Sequence, residues 1–249
     1  MNTVGIYGCK EIEKQLDELV RIQTKVLPNL VVLEGPDGVG KTTIAKKLVD
    51  RLNSLGHFAQ YRKEPGGNDI GIALREALLN RKELLPADQS VLAFATSAAI
   101  TMQEIEKNPR VIYILDRYME STLVYQFLIP YLSGSELDEA HERVRKAIAF
   151  FKSSGYLPSA IATFSIRRDT NSAFESACKD KNVYEEQGFP FYLKVVDGYR
   201  FVDYAQTHKP FNGTFYRIIN SYEGDLDRIV DELDHTIPLM VRMFNPKGE

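Results

Sequence analysis

The sequence predicts an α/β protein: a three-layer sandwich with a central, mainly parallel sheet of about five strands, helices on both faces and a small lid segment. Three observations carry this prediction. Short apolar runs alternate with longer stretches of helical spacing; the first run, Leu30 to Leu33, meets a glycine-rich loop; and that loop leads into helical spacing at Ile44, Ala45, Leu48, Val49 and Leu52. Strands separated by helices imply parallel pairing, covered sheet faces, and ligands at the carboxyl ends of the strands.

The elements follow in order. Ile12, Leu16, Leu19, Val20, Gln23, Val26 and Leu27 fall largely on one helical face and Pro28 stops the pattern. This predicts an N-terminal helical extension over 1–29, ahead of a single domain over 30–249. Packing on the body explains such a helix more simply than partner binding. The domain opens with strand Leu30 to Leu33, then a helix after Lys41 with Gly56 as its stop, and a weaker strand from Phe58 to Tyr61. Helices are expected over Ile70 to Leu79 and Ala87 to Ile105, before a strong buried strand at Val111 to Leu115. Further helices are read at Ser121 to Leu128 and at Ser135 to Phe151, where Glu136 and Asp138 suit a first turn. A fourth strand, Ala160 to Ile166, precedes a polar lid segment at about 167–187. Helix Phe189 to Ala205, strand Phe215 to Ile219 and helix Leu226 to Met243 complete the pattern.

Composition narrows the class. A chain of 249 residues with 44% hydrophobic and 26% charged residues can bury one substantial core, and no apolar run approaches the roughly 20 residues that span a bilayer. The acidic N-terminal stretch, with Glu11, Glu13, Asp17 and Glu18, resembles neither a secretory signal nor a transit peptide, so a cytoplasmic location and no membrane partner are expected. Cys9 and Cys178 lack metal-ligand spacing and read as free thiols. A net charge of -3 offers no general attraction to a nucleic-acid polymer, so any phosphate must be caught by particular residues.

The loop supplies such residues. Gly35-Pro36-Asp37-Gly38-Val39-Gly40-Lys41-Thr42 fits G-x-x-x-x-G-K-[ST], a chance match only on the order of once in a hundred chains this long. It lies between a strand and a helix, as its mechanism requires: glycines turn backbone N–H groups inward and the helix N-terminus adds positive potential. The segment Gly35 to Thr43 is thus a P-loop, and the fold is of the P-loop NTPase type. Lys41 is expected on the β/γ-phosphates of ATP and Thr42 on Mg²⁺. Asp37 is an acid inside an anion-binding loop, which leaves it either facing solvent or turned toward a sugar hydroxyl.

Strand Val111 to Leu115 delivers Asp116-Arg117-Tyr118 beside that loop. An acid there suits the Mg²⁺ shell, and a guanidinium suits a bridge between donor and acceptor phosphates. An isolated Asp-Arg pair would be a surface ion pair worth ~0–1 kcal/mol; the strand end favours the site.

With these residues the sequence resembles the thymidylate kinase family from about Leu30 to Asp225. Lys63-Glu64-Pro65-Gly66-Gly67 looks like the family's R-E-P-G-G segment, and Arg75 like its phosphate-binding arginine. Phe94 stands where the family stacks a phenylalanine on the base. Asp116-Arg117-Tyr118 with Ser121, Thr122, Tyr125 and Gln126 resembles D-R-Y-x-x-S-x-x-x-Y-Q, and Ile219-Asn220-Ser221 the segment near adenine. The resemblance implies ATP- and Mg²⁺-dependent phosphorylation of a nucleoside monophosphate by a homodimer. Asp37 would bind the acceptor's sugar, Arg75 and Arg117 its phosphate, and Tyr125 would disfavour a 2′-hydroxyl. Gly35, Gly38, Val39, Gly40, Thr42, Thr43 and Asn220 would hold ATP, and Glu64, Phe94, Ala98 and Thr122 would line the acceptor site. Ordinary core packing is the competing account of Phe94 and Tyr125, and a solvated helix face that of Arg75.

Two departures shape the expectation. Where the family reads thymine with an arginine, this chain has Ala98, and Thr96 or Ser97 is the available smaller donor. In the lid, Ser176 and Val183 stand where arginines are usual, and Gly38 leaves the loop without one, so Lys179 or Lys181 is the expected catalytic cation. A deoxypyrimidine monophosphate, dTMP first, is the expected acceptor. UMP, CMP, dUMP, dCMP or a purine monophosphate, or nucleotide binding without transfer, are the alternatives.

Overall fold

The computed structural model describes residue 14 and residues 25–79, 87–129, 158–179, 185–208, 215–222 and 225–244. Strand β1 (Val26–Glu34) leads through the P-loop to α1 (Lys41–Ser54), β2 (Ala59–Lys63), α2 (Asp69–Leu79), α3 (Ala87–Lys107) and β3 (Ile112–Asp116). Helix α4 (Met119–Thr122) runs on as a π-helical stretch, Leu123–Leu128. Then come β4 (Ser159–Arg167), α5 (Thr170–Ala177), a 3₁₀ turn at Glu185–Gln187, α6 (Gly188–His208), β5 (Phe215–Asn220) and α7 (Leu226–Phe244). The five strands are all parallel, in the order β2-β3-β1-β4-β5.

The central strands are apolar on both faces because both are covered. Leu30 and Val32 join Tyr113 and Leu115 under α3, α4 and α6, while Val31 and Leu33 join Ile112 and Ile114 under α1, α5 and α7. Each such side chain, fully buried, contributes roughly 1.5–3 kcal/mol.

The predicted core elements are present within a few residues of their expected bounds, with two corrections. Strand β1 starts at Val26, so Val26 and Leu27 are strand residues, not the end of a helix, and the boundary expected at residue 29 falls inside a strand. Pro28 sits where the pairing of β1 with β4 shifts register between Leu27 and Val31, an irregularity that spares the ladder the hydrogen bond proline cannot donate. The lid segment also contains a helix, α5, capped by Asp169, whose carboxylate accepts from the Ser172 amide at 3.0 Å. Apart from Lys14, which is helical, the expected N-terminal helix up to residue 24 lies outside the described residues, as do the helix at 135–151, Cys9, Lys181 and Val183; Cys178 is a free thiol. Among the described residues no helix is long and apolar enough to cross a membrane.

Candidate active site

The sheet order places β1 between β3 and β4, so the loop after β1 opens beside the carboxyl end of β3. Asp116 pairs in register with Leu33, and the Arg117 amide donates to the Leu33 carbonyl at 3.0 Å. Gly35, Gly38 and Gly40 have φ of 138°, 76° and 97°, conformations that favour glycine. A Cβ on Gly38 would stand 1.8 Å from the Ala173 carbonyl oxygen, so α5 lies directly on the loop. Helix α1 begins after Gly40 with no side-chain cap and no acid in its first turn, leaving its leading N–H groups for an anion.

Lys41 is buried, and its Nζ donates to the Pro36 carbonyl at 2.6 Å. Burial and then the charge of Arg117 depress its pKa from 10.5 to about 8, against the pull of Asp37, Asp116 and Glu34. The Thr42 hydroxyl donates to Asp116 Oδ2 at 2.5 Å, while Asp116 Oδ1 is buried without a hydrogen-bond partner among the described residues. A bare carboxylate oxygen beside a hydroxyl at the mouth of a phosphate loop is a hard-oxygen set that fits Mg²⁺.

Asp37 turns away from the loop's anion cradle. Its Oδ1 accepts from Arg117 Nη2 at 2.5 Å and its Oδ2 from the Tyr125 hydroxyl at 2.6 Å. Burial pushes its pKa up, but the charges of Arg117 and Lys41 and these hydrogen bonds outweigh that and hold it well below the usual carboxylate range, although 35% of the side-chain surface remains accessible. Tyr125 lies in the π-helical stretch of α4, and the Arg117 guanidinium stands 5.5 Å over its ring centroid. Asp37 and Tyr125 also line a narrow cleft, open to solvent, with Phe174, Phe191 and Tyr192.

Arg75 reaches toward this centre from α2, its Nη1 3.4 Å from the Pro65 carbonyl. Burial and then Arg117 lower its pKa; burial, only partly offset by Asp116, lowers that of Lys63, whose Nζ is 3.9 Å from Asp116 Oδ2. Lys41, Lys63, Arg75 and Arg117 thus outnumber Asp37, Asp116 and Glu34, and they repel one another until an anion enters.

Other expected residues sit differently. Both oxygens of Glu64 are taken, Oε2 by the Ser97 hydroxyl at 2.6 Å and Oε1 by that of Thr101, so its carboxylate braces the loop after β2 against α3. Ser97 is therefore committed, and the exposed Thr96 donates to its own helix at the Leu92 carbonyl, 2.8 Å away. Ala98 packs with Tyr125 against one core cluster, and Phe94 and Thr122 are half-buried on α3 and α4. Val39 is buried within the loop and Thr43 is exposed on α1. Asn220 is exposed at the end of β5, next to Ser221, whose hydroxyl donates to the Val39 carbonyl at 3.3 Å. Lys179 is exposed just beyond α5.

Sequence reasoning missed Glu34, Tyr61, Tyr192 and Tyr199. Tyr61 donates to Asp116 Oδ2 at 3.2 Å, and Tyr192 to the Asp37 carbonyl at 2.7 Å. Only Glu34, a charge ending an apolar strand against the loop, carried a local signal.

A P-loop, an acid at the end of the neighbouring strand and a cation cluster beside them define a P-loop kinase of nucleoside monophosphates. The thymidylate kinase family model matches residues 33–152. The thymidylate kinase of Chlorobaculum tepidum is 32% identical over 182 residues, 68% of this chain and 81% of that one. That of Chlorobium phaeobacteroides is 28% identical over 219 residues, 82% and 93% of the two chains. A solved thymidylate kinase from Candida albicans superposes with a TM-score of 0.61 at 22% identity, covering 89% of this chain and 93% of that one. The chain belongs to the thymidylate kinase family.

Proposed function

We propose that this protein transfers the γ-phosphoryl group of ATP to the 5′-phosphate of a deoxypyrimidine monophosphate, with dTMP as first acceptor. The observation that carries the proposal is the Asp37–Arg117–Tyr125 constellation, which joins the P-loop to the narrow cleft through a 2.5 Å ion pair and a 2.6 Å hydrogen bond. In this reading the N-terminus of α1 and Lys41 hold the donor phosphates, while Arg117 and Arg75 grip the acceptor phosphate. Asp37 and Tyr125 position the sugar, and Asn220 lies toward adenine. Thr42 and Asp116 would hold Mg²⁺, which when bound offsets charge on the donor phosphates. The acceptor oxygen is already anionic, so this chain's residues align the phosphates and neutralise charge rather than remove a proton. Lys179 or Lys181 would supply the lid cation. A homodimeric, cytoplasmic enzyme is part of the reading and rests on the family resemblance.

A second reading, broader use of pyrimidine bases, is favoured by Ala98 together with the commitment of Thr96 and Ser97 to other partners. A base edge without a protein donor is discriminated weakly. One experiment serves both readings: coupled ADP release with dTMP, dUMP, dCMP, UMP, CMP and purine monophosphates. Turnover fastest with dTMP is expected. Comparable rates with several pyrimidine nucleotides support the second reading, and no ADP release with any of them refutes the kinase assignment.

A further inference from the structure

We propose that Glu34 is a positioning residue for phosphoryl transfer: it orients the hydroxyls of Ser121 and Tyr199 so that both oxygens accept from Arg117. The proposal rests on the reading of Arg117 as the clamp on the acceptor phosphate.

Glu34 ends β1 and is fully buried. Its carboxylate accepts from the Tyr118 amide at 2.6 Å, the Ser121 amide at 3.1 Å, the Ser121 hydroxyl at 2.6 Å and the Tyr199 hydroxyl at 3.0 Å. Arg117 approaches the same two hydroxyls from the other side, its Nη1 lying 2.9 Å from Ser121 Oγ and 2.8 Å from the Tyr199 oxygen. A guanidinium only donates and a carboxylate only accepts, so the direction of each bond is settled by chemistry. Each hydroxyl has one proton, and the two oxygens are 2.7 Å apart. Those protons cannot point at Arg117, and only one of them can lie between the two hydroxyls, so at least one ends on Glu34, which draws the pair back and leaves lone pairs toward the guanidinium. Burial raises the pKa of the Tyr199 hydroxyl well above its ordinary value, which keeps its proton in place.

The backbone points the same way. Glu34 anchors the amides of Tyr118 and Ser121 at the start of α4, immediately after Arg117, whose φ of 76° is rare for a residue with a Cβ. Such a conformation persists where its surroundings over-determine it. With Nη1 on the two hydroxyls and Nη2 on Asp37, Arg117 Nε has no hydrogen-bond partner among the described residues. That edge remains for a phosphate oxygen.

A double-mutant cycle with Glu34→Gln and Arg117→Lys tests the proposal, reading kcat and KM for dTMP and for ATP. Glutamine keeps the shape, but in either orientation of its amide it sets an N–H group against donors or takes the hydroxyl lone pairs that Arg117 uses. Losing charge-assisted hydrogen bonds on a buried guanidinium predicts a fall in kcat/KM for dTMP of about 10- to 100-fold, with KM for ATP unchanged. In the Arg117→Lys background Glu34→Gln should cost less than about threefold, because the geometry it protects is gone. An equal cost in both backgrounds overturns the positioning role. Wild-type kcat/KM in Arg117→Lys alone instead overturns the clamp reading. Should Glu34→Gln fail to fold, Tyr199→Phe, which deletes one of the two oriented hydroxyls, replaces it in the cycle; equal costs in both backgrounds again refute the proposal.

Discussion

Holding a charged lysine under the P-loop costs stability until a nucleotide arrives, and Lys41→Met measures that cost. The depression of the Lys41 pKa from 10.5 to about 8 corresponds, at about 1.4 kcal/mol per tenfold change in proton affinity, to about 3 kcal/mol at pH 7. Methionine preserves most of the buried stem but forfeits the bond to the Pro36 carbonyl, worth about 1 kcal/mol. The nucleotide-free variant should therefore be more stable than the wild type by about 2 kcal/mol, or about 4–8 °C in Tm for a chain of this size. The pH dependence has a definite sign. Between about pH 8 and 10.5 the unfolded chain retains a proton on Lys41 that the folded chain has lost, so this group makes wild-type stability rise with pH. Its cost shrinks to about 1 kcal/mol at pH 9.5, and the advantage of the variant should disappear there. Calorimetry without nucleotide at pH 7 and 9.5, paired with ADP release, reads both effects; phosphoryl transfer should fall by at least about 100-fold. A variant less stable than wild type at pH 7, or a difference that does not shrink by pH 9.5, refutes this account of the site's electrostatics.

Gly38→Ala places a Cβ against the Ala173 carbonyl at a φ of 76°, so it should cost roughly 2 kcal/mol, seen as a Tm lowered by about 5 °C together with slower ADP release. An unchanged Tm would mean that α5 does not rest on the loop as described. Replacing Lys179 and Lys181 together by alanine should lower kcat about tenfold or more if the lid cation comes from them. An unchanged kcat removes them from that role and turns attention to Arg168, whose Nη1 is 3.5 Å from the Gly38 carbonyl oxygen and 3.3 Å from Ser176 Oγ.

The P-loop and the strand end beside it were legible because their signal is local: Gly35 to Thr42 is one contiguous pattern with strand and helix attached, and Asp116-Arg117 ends a run apolar enough to be central. Element types were legible for the same reason, since the apolar period of each stretch is a property of its neighbours in sequence. The start of β1 was misread because Val26 and Leu27 fit a helical face and Pro28 looks like a stop, whereas their strand pairing with Ser159 and Ala160 is long-range. Helix α5 was overlooked because its sequence is polar and its buried positions, Ala173 and Ala177, are small.

Hydroxyl and carboxylate partnerships were out of reach for a different reason. Nothing near Ser97 in sequence says that its proton is spent on Glu64, 33 residues away, nor near Tyr199 that it meets Glu34, 165 residues away. Short-range order in the chain determined a P-loop α/β kinase and nominated the residues proposed to bind its two phosphates. Tertiary structure alone decided which of those residues are free for a ligand and which are occupied by the protein, because a hydrogen bond depends on distance in space and each donor proton serves chiefly one acceptor.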